Sequence, residues 1–229
     1  MNGLQFRAHS RMEPATPYRP PMSQFFQVHP ENPQARLINQ AVAILNKGGV
    51  IAYPTDSSYA LGCRIGDKGA MEAIRRIRQV DKDHNFTLVC RDLSELALYA
   101  RVDNTAFRLL KAFTPGPYTF ILRATGEVPR RLQHPKRKTI GLRVPDNAIV
   151  RALLDALGEP LMSVTLILPG TDAPMTDPEE IRDRLSHAVD LVIDGGTCTV
   201  EPTTVVDLTD QVPEVVRVGR GDPTPFQGE

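Results

Sequence analysis

Three hydroxyl side chains, Thr55, Ser57 and Ser58, and one carboxylate, Asp56, crowd a turn that follows the apolar run Val50 to Tyr53. Pro54 fixes that turn, and strand ends of this kind are where open α/β sheets place ligands. Polar groups held there suit recognition of a small polar molecule; Asp56 and Ser57 satisfying their own backbone is the bland alternative. Arg143 closes a second apolar run, Thr139-Ile140-Gly141-Leu142-Arg143. A guanidinium beside a core is expensive unless an anion meets its planar fork, so a phosphate or a substrate carboxylate is expected, with Asp146 or another acid as the competing partner. Ser163 and Thr165 alternate along Leu161 to Leu168 and therefore share one strand face. Thr203 and Thr204 open a further strand after the Asp194-Gly195-Gly196 turn, and Arg217 and Arg220 flank Gly219. If these faces coincide, they form a cationic, hydroxyl-rich hollow.

A second source of charge is the connection from Arg123 to Arg143. It holds Arg130, Arg131, Lys136, Arg137 and Lys138 against one acid, Glu127. Such a patch suits polyphosphate or the backbone of double-stranded RNA or tRNA, and it has no aromatic residue with which to read bases. Cys63, Cys90 and Cys198 are far apart and the His residues are scattered, so neither a zinc site nor a disulfide framework is expected. No protein metal site is called.

Lys plus Arg equals Asp plus Glu at 27 each over 229 residues, so no global field draws the chain to nucleic acid or membrane. No apolar run spans a bilayer, and a cytoplasmic protein with no membrane partner is expected. Residues 1–21 are Pro- and Arg-rich without periodicity and read as a disordered leader or a misassigned start; residues 22–229 form one domain.

The elements that must position these groups alternate in type. Asn32-Pro33 reads as the cap of a helix with Leu37, Ile38, Ala41, Val42 and Leu45 on one face, stopped by Gly48-Gly49. Strand Val50–Tyr53 follows, then a helix capped by Asp67, strand Phe86–Cys90, and helices capped by Asp92 and Asp103. The rigid turn Thr114-Pro115-Gly116-Pro117 leads into strands at Tyr118–Arg123 and Thr139–Arg143. Helix Asn147–Leu157, strand Leu161–Leu168, a helix opened by Asp177-Pro178 and three last strands complete the chain. This order predicts an α/β fold: one twisted, mixed, partly parallel open sheet flanked by helices. The glycine signatures of dinucleotide folds and P-loops are absent.

Taken in order, YPTDSSYALGC, TPGPYTFIL, TIGLRVPD, PLMSVTL, IDGG and PTTVVDL resemble the YrdC-like threonylcarbamoyladenylate synthases, from about Gln34 to Gly219. IRQVDKDHNFTLVCRDLSEL and SVTLILPG are most similar to the YciO-like branch. The resemblance implies ATP, L-threonine and bicarbonate as substrates, Mg2+ with the nucleotide, and an adenylate that feeds tRNA threonylcarbamoyladenosine modification. By the same resemblance Arg143 and Ser163 are catalytic and Thr55, Ser57, Thr204 and Arg217 bind substrate; Arg78 is expected to act as a catalytic stand-in, and Ser58, His84 and Thr165 as further substrate-binding residues of this chain's own. Two departures stand out. The family's Lys-x-Arg pair becomes Arg78-Gln79-Val80, with Lys82 and His84 nearby, and its Ser-x-Asn pair becomes Ser163-Val164-Thr165. Losing the second Arg removes a phosphate clamp worth about 2 to 4 kcal/mol in a transition state, so weak or altered activity is expected. The alternative is an RNA-binding module on the basic connection with a degenerate nucleotide pocket.

Overall fold

The structure is a computed structural model that describes residues 22–81 and 84–227. The leader expected over 1–21, and Lys82, lie outside the described residues. Ten strands form one sheet: β1 (Gln24–Gln27), β2 (Ile51–Tyr53), β3 (Ala60–Arg64), β4 (Thr87–Val89), β5 (Tyr118–Arg123), β6 (Thr139–Arg143), β7 (Leu161–Thr165), β8 (Leu191–Asp194), β9 (Thr204–Asp207) and β10 (Glu214–Arg217). Their spatial order is β1-β8-β2-β3-β7-β4-β6-β5-β9-β10. Parallel pairs (β1 with β8, β2 with β8, β4 with β6, β5 with β9) mix with antiparallel ones, giving the mixed open sheet expected.

Six helices flank the sheet: α1 (Ala35–Asn46), α2 (Lys68–Arg78), α3 (Leu93–Tyr99), α4 (Asn104–Phe113), α5 (Ala148–Leu157) and α6 (Pro178–Leu185). Five begin on a short polar side chain that accepts a backbone N–H of the first turn: Asp67, Asp92, Asp103, Asn147 and Asp177. The exception is α1. Its cap is Gln34, not Asn32, and Gln34 makes no cap bond; its side-chain oxygen instead accepts the His29 N–H. That helix is held by its apolar stripe, Ile38, Ala41, Val42 and Leu45, all buried.

Strand alternation sends neighbouring residues to opposite sides and builds two cores. On one side Leu61, Leu88, Phe120, Leu142, Met162 and Val206 meet Met71 and Ile74 of α2, Leu96 of α3, Leu110 of α4 and Ile181 of α6. On the other, α1 and α5 pack together over Ile51, Tyr53, Ala60, Val89, Leu161, Leu191 and Ile193. These two helices cover only part of their face. Two residues beyond Val89 and Leu161 on the same strands, the side chains become Thr87 and Ser163. Register aligns Gly62, Ser163, Thr87, Gly141 and Ile121 across five adjacent strands. The switch from large apolar to small or hydroxyl residues leaves the uncovered face concave.

Candidate anion-binding cavity

That concavity is a cavity of about 300 Å3 on the sheet face. Its floor includes Ala60, Thr87, Thr119, Gly141, Ser163 and Thr165 from the strands, with Ser58 and Thr203 at strand ends. Its charged wall consists of Arg78 at the end of α2, Arg143 on β6, Arg217 on β10 and Arg137 from the basic connection, joined by His84 and His134. Among the described residues no carboxylate lines it.

Ser163 is held from below. Its hydroxyl lies 2.7 Å from the Tyr53 hydroxyl, and both residues are buried. Removal from water pushes the Tyr53 phenol up to about 12, so it stays protonated and supplies one of the two hydroxyl hydrogens of the pair. Gly62 makes room for the ring, since a Cβ there would stand 2.7 Å from Tyr53 Cε1. Gly62→Ala is therefore expected to cost about 1 to 2 kcal/mol by overpacking and to pull Tyr53 off Ser163. Urea unfolding measures the first effect; unchanged stability would show that the ring shifts freely.

Arg143 is nearly enclosed, its side chain 9 % exposed, and it pairs with Asp56, itself 8 % exposed. The competing partner read from sequence was Asp146 or another acid; the acid is Asp56, and Asp146 donates its backbone N–H to it at 2.9 Å. The Arg143 Nε is buried with no protein partner, and so is the Arg78 Nε. Arg78 donates through Nη1 to the Thr165 carbonyl. Burial lowers the pKa of Arg78, and burial followed by the charge of Arg143 lowers that of Arg217. His84 is likewise lowered, first by burial and then by Arg78. Burial disfavours the charged form of all three, and a neighbouring guanidinium adds to it for Arg217 and His84.

The sequence-based candidates divide accordingly. Ser58, Arg78, His84, Arg143, Ser163, Thr165 and Arg217 line this one cavity. Thr55 and Ser57 do not; they face a separate opening across the Asp56–Arg143 pair. Thr55 accepts the Ser57 N–H and donates to the Ser58 carbonyl, so these hydroxyls hold the turn. Thr204 lies outside the cavity: it is fully buried, donates to the Gly221 carbonyl and accepts the Gly219 N–H at 2.9 Å, so its one hydroxyl hydrogen is spent within the fold. Its neighbour Thr203 is the one at the cavity, where its hydroxyl lies 2.8 Å from that of Thr119. Of the basic connection, all five cations are exposed, and Arg137 alone of them lines this cavity, pairing with Asp207 at 2.6 Å.

Thr87, Thr119, Thr139 and His134 are cavity residues that motif reading passed over, and Thr203 and Asn85, both noted in the sequence, join them. The parity of Thr87 with Val89 and of Thr139 with Arg143 was readable, but the face left uncovered by helices was not. At the altered positions, Val80 donates its N–H to the Arg75 carbonyl, while His84 and Asn85 reach the cavity. Cys63 and Cys90 are buried thiols, the former pushed up to about 12 by burial, which makes them inert; Cys198 is half-buried. Among the described residues no group of His, Cys, Asp or Glu could hold a metal ion, and no helix is long and apolar enough to cross a membrane.

Comparison with known proteins gives concordant matches. The profile of the Sua5/YciO/YrdC family, described as telomere recombination, matches residues 43–219. The YciO protein of Escherichia coli strain K12 is 66 % identical over 205 residues, 90 % of this chain and 100 % of that protein. Its crystal structure superposes with a TM-score of 0.87 over 90 % of this chain and all of the other. A threonylcarbamoyl-AMP synthase of Vibrio vulnificus strain YJ016 is 30 % identical over 161 residues, 69 % of this chain and 86 % of the relative. The crystal structure of P. abyssi Sua5 complexed with L-threonine, 25 % identical, superposes with a TM-score of 0.79 over 86 % of this chain and 58 % of that one.

Proposed function

The chain belongs to the Sua5/YciO/YrdC family, and from that membership we propose that its cavity binds ATP and L-threonine and, with bicarbonate, forms threonylcarbamoyl-AMP for tRNA modification, at a reduced rate. The observation that carries this reading is the lining itself: four guanidiniums, two of them with a buried Nε lacking a protein partner, and no carboxylate among the described lining residues. Arg143 and Arg137 each meet an acid that does not line the cavity, Asp56 and Asp207, while Arg78 and Arg217 bond to backbone carbonyls and have no acidic partner among the described residues, so the hollow keeps positive charge for an anionic ligand. The relative that holds L-threonine supports the amino-acid half of the reading.

In the proposed step an oxygen of the carbamate on the nitrogen of N-carboxythreonine attacks the α-phosphorus of ATP, the bond from that phosphorus to the β-phosphate bridging oxygen breaks, and pyrophosphate leaves with the electron pair. Both reactants are anions, so the protein's contribution is to hold them together against their repulsion and to stabilise the charge spreading over the phosphoryl oxygens. Arg78 and Arg143 supply fixed positive charge, and Ser163, oriented by Tyr53, supplies a neutral donor. Ser58, Thr119 and Thr203 line the same hollow. Magnesium fits only as a passenger on the nucleotide phosphates, because the lining offers no carboxylate to hold it.

The experiment is threonine-dependent release of pyrophosphate from ATP and bicarbonate. Arg78→Ala is expected to slow it about tenfold to a hundredfold, the loss of one charged phosphate contact. Release that ignores threonine, or is untouched by Arg78→Ala, would reject the synthase. A second readout needs no turnover. His84 is kept short of protons by burial and by Arg78, so a polyanion entering the cavity must raise its pKa and draw a proton from solution. Calorimetry at about pH 6 in buffers of different ionisation enthalpy should detect that uptake for ATP, and His84→Gln should remove it.

Double-stranded RNA is the second ligand reading, favoured by the exposure of Arg130, Arg131, Lys136 and Lys138. It predicts retention on RNA that weakens steeply with salt and vanishes when those four cations are neutralised.

A further inference from the structure

The basic connection is a built turn. His134 donates its N–H to the Thr139 carbonyl at 2.8 Å and accepts the Lys138 N–H on its own carbonyl at 2.9 Å. Its ring Nδ1 faces the N–H groups of Lys136 at 3.3 Å and Arg137 at 3.1 Å. Within this turn Lys138 adopts a left-handed backbone, φ 55°, a conformation that side-chain-bearing residues keep only where surrounding contacts impose it. The turn sorts its cations by direction. Arg137 goes to Asp207 and the main cavity, while Arg130, Arg131 and Lys138 line an adjoining recess of about 220 Å3.

The recess shares His84, Asn85, Phe86 and Leu132 with the main cavity, so the two are neighbours across one wall. Among the described residues no carboxylate lines it. Among the described residues neither Arg130 nor Lys138 has an acidic partner, and Arg131 meets only the Gly66 carbonyl. Three cations around a hollow of that volume match a phosphate or diphosphate group in size and charge; a duplex would need a longer surface.

We propose that this recess is a polyphosphate subsite, holding the pyrophosphoryl end of a nucleotide whose remainder lies in the main cavity. The proposal rests on the nucleotide reading given above, and adds to it a residue set outside the matched motifs. It also assigns part of the basic connection to a small anion in place of RNA.

The test is calorimetric binding of ATP, AMP and inorganic pyrophosphate to the full chain and to Arg130→Gln/Lys138→Gln, with melting temperature recorded for both. ATP and pyrophosphate affinities are expected to fall about tenfold or more, with AMP unchanged. Should the double change disturb the turn, Arg130→Glu alone, outside the His134 hydrogen bonds, must give the same pattern. Equal losses for ATP and AMP, or pyrophosphate binding that ignores both variants, would overturn the subsite. If the wild-type chain binds neither ATP nor AMP yet binds pyrophosphate through Arg130 and Lys138, the nucleotide reading fails and the anion subsite stands. Displacement of pyrophosphate only by duplex RNA would give these residues to RNA and overturn the proposal.

Discussion

Arg143→Ala is expected to lower the free energy of unfolding by about 3 to 5 kcal/mol and to abolish nucleotide binding, through two separable effects. The stability loss comes from Asp56. Its carboxylate is 8 % exposed, pairs with Arg143, and otherwise accepts only the Asp146 N–H at 2.9 Å. Without the guanidinium a charge is left in the wall between the two openings with one neutral donor. The binding loss comes from the other side of the same guanidinium, whose Nε has no protein partner and which, with Arg217, faces a hollow with no acid among its described lining residues. Asp56→Asn combined with Arg143→Ala removes the stranded charge while keeping an acceptor for Asp146, so stability should largely return. Binding should not. Urea midpoints and ATP-induced thermal shift on the single and double variants separate the effects, and a double variant that binds ATP like the wild type would make Arg143 a purely structural cation.

The pair also shows what a sequence can and cannot say about this site. That a cation ending the apolar run Thr139–Arg143 needs an anion follows from its position; that the partner is Asp56 depends on β4 lying parallel to β6, which carries Arg143 beside the Tyr53–Ser58 turn. Helix starts were legible because a capping side chain acts over three residues, as Asp67, Asp92 and Asn147 do. β3 was not recognised as a strand because Ala60 and Gly62 have low strand propensity; they are small because the Tyr53 ring lies against them. β1 escaped because Phe25 and Phe26 do not alternate with polar residues, being half-buried on the two faces of an edge strand. The hydroxyls followed the same division. Ser163 and Thr165 share a face by periodicity alone, whereas choosing Thr203 over Thr204 needs the register of Tyr118 with Thr204, which points the latter into the core. Adjacent threonines are equivalent in one dimension and opposite in three.

Gly219→Ala should be among the most damaging single-methyl changes available to this chain. A Cβ at that position would stand 2.2 Å from the Pro202 carbonyl oxygen and 2.6 Å and 2.7 Å from the Thr203 carbonyl carbon and oxygen. All three are backbone atoms, so no rotamer change relieves the contact, and the cost lies at or beyond the about 3 kcal/mol upper end of ordinary overpacking. The damage extends to the cavity because this crossing ties β10 to the start of β9. The Gly219 N–H donates to Thr204 Oγ1 at 2.9 Å, the Arg220 N–H to the Pro202 carbonyl at 2.9 Å, and Arg217 Nη2 to the Thr203 carbonyl at 2.9 Å. Pushing the strands apart moves Thr203 and Arg217 together, so ATP affinity should fall along with stability. Gly126→Ala is the matched control: nothing lies within 4 Å of its added methyl, and its stability should stay within about 0.5 kcal/mol of wild type. Urea unfolding of the two variants decides the matter. A Gly219→Ala protein as stable as Gly126→Ala, with undiminished ATP binding, would mean that the β9–β10 crossing is loose and that Arg217 does not owe its place in the cavity to it.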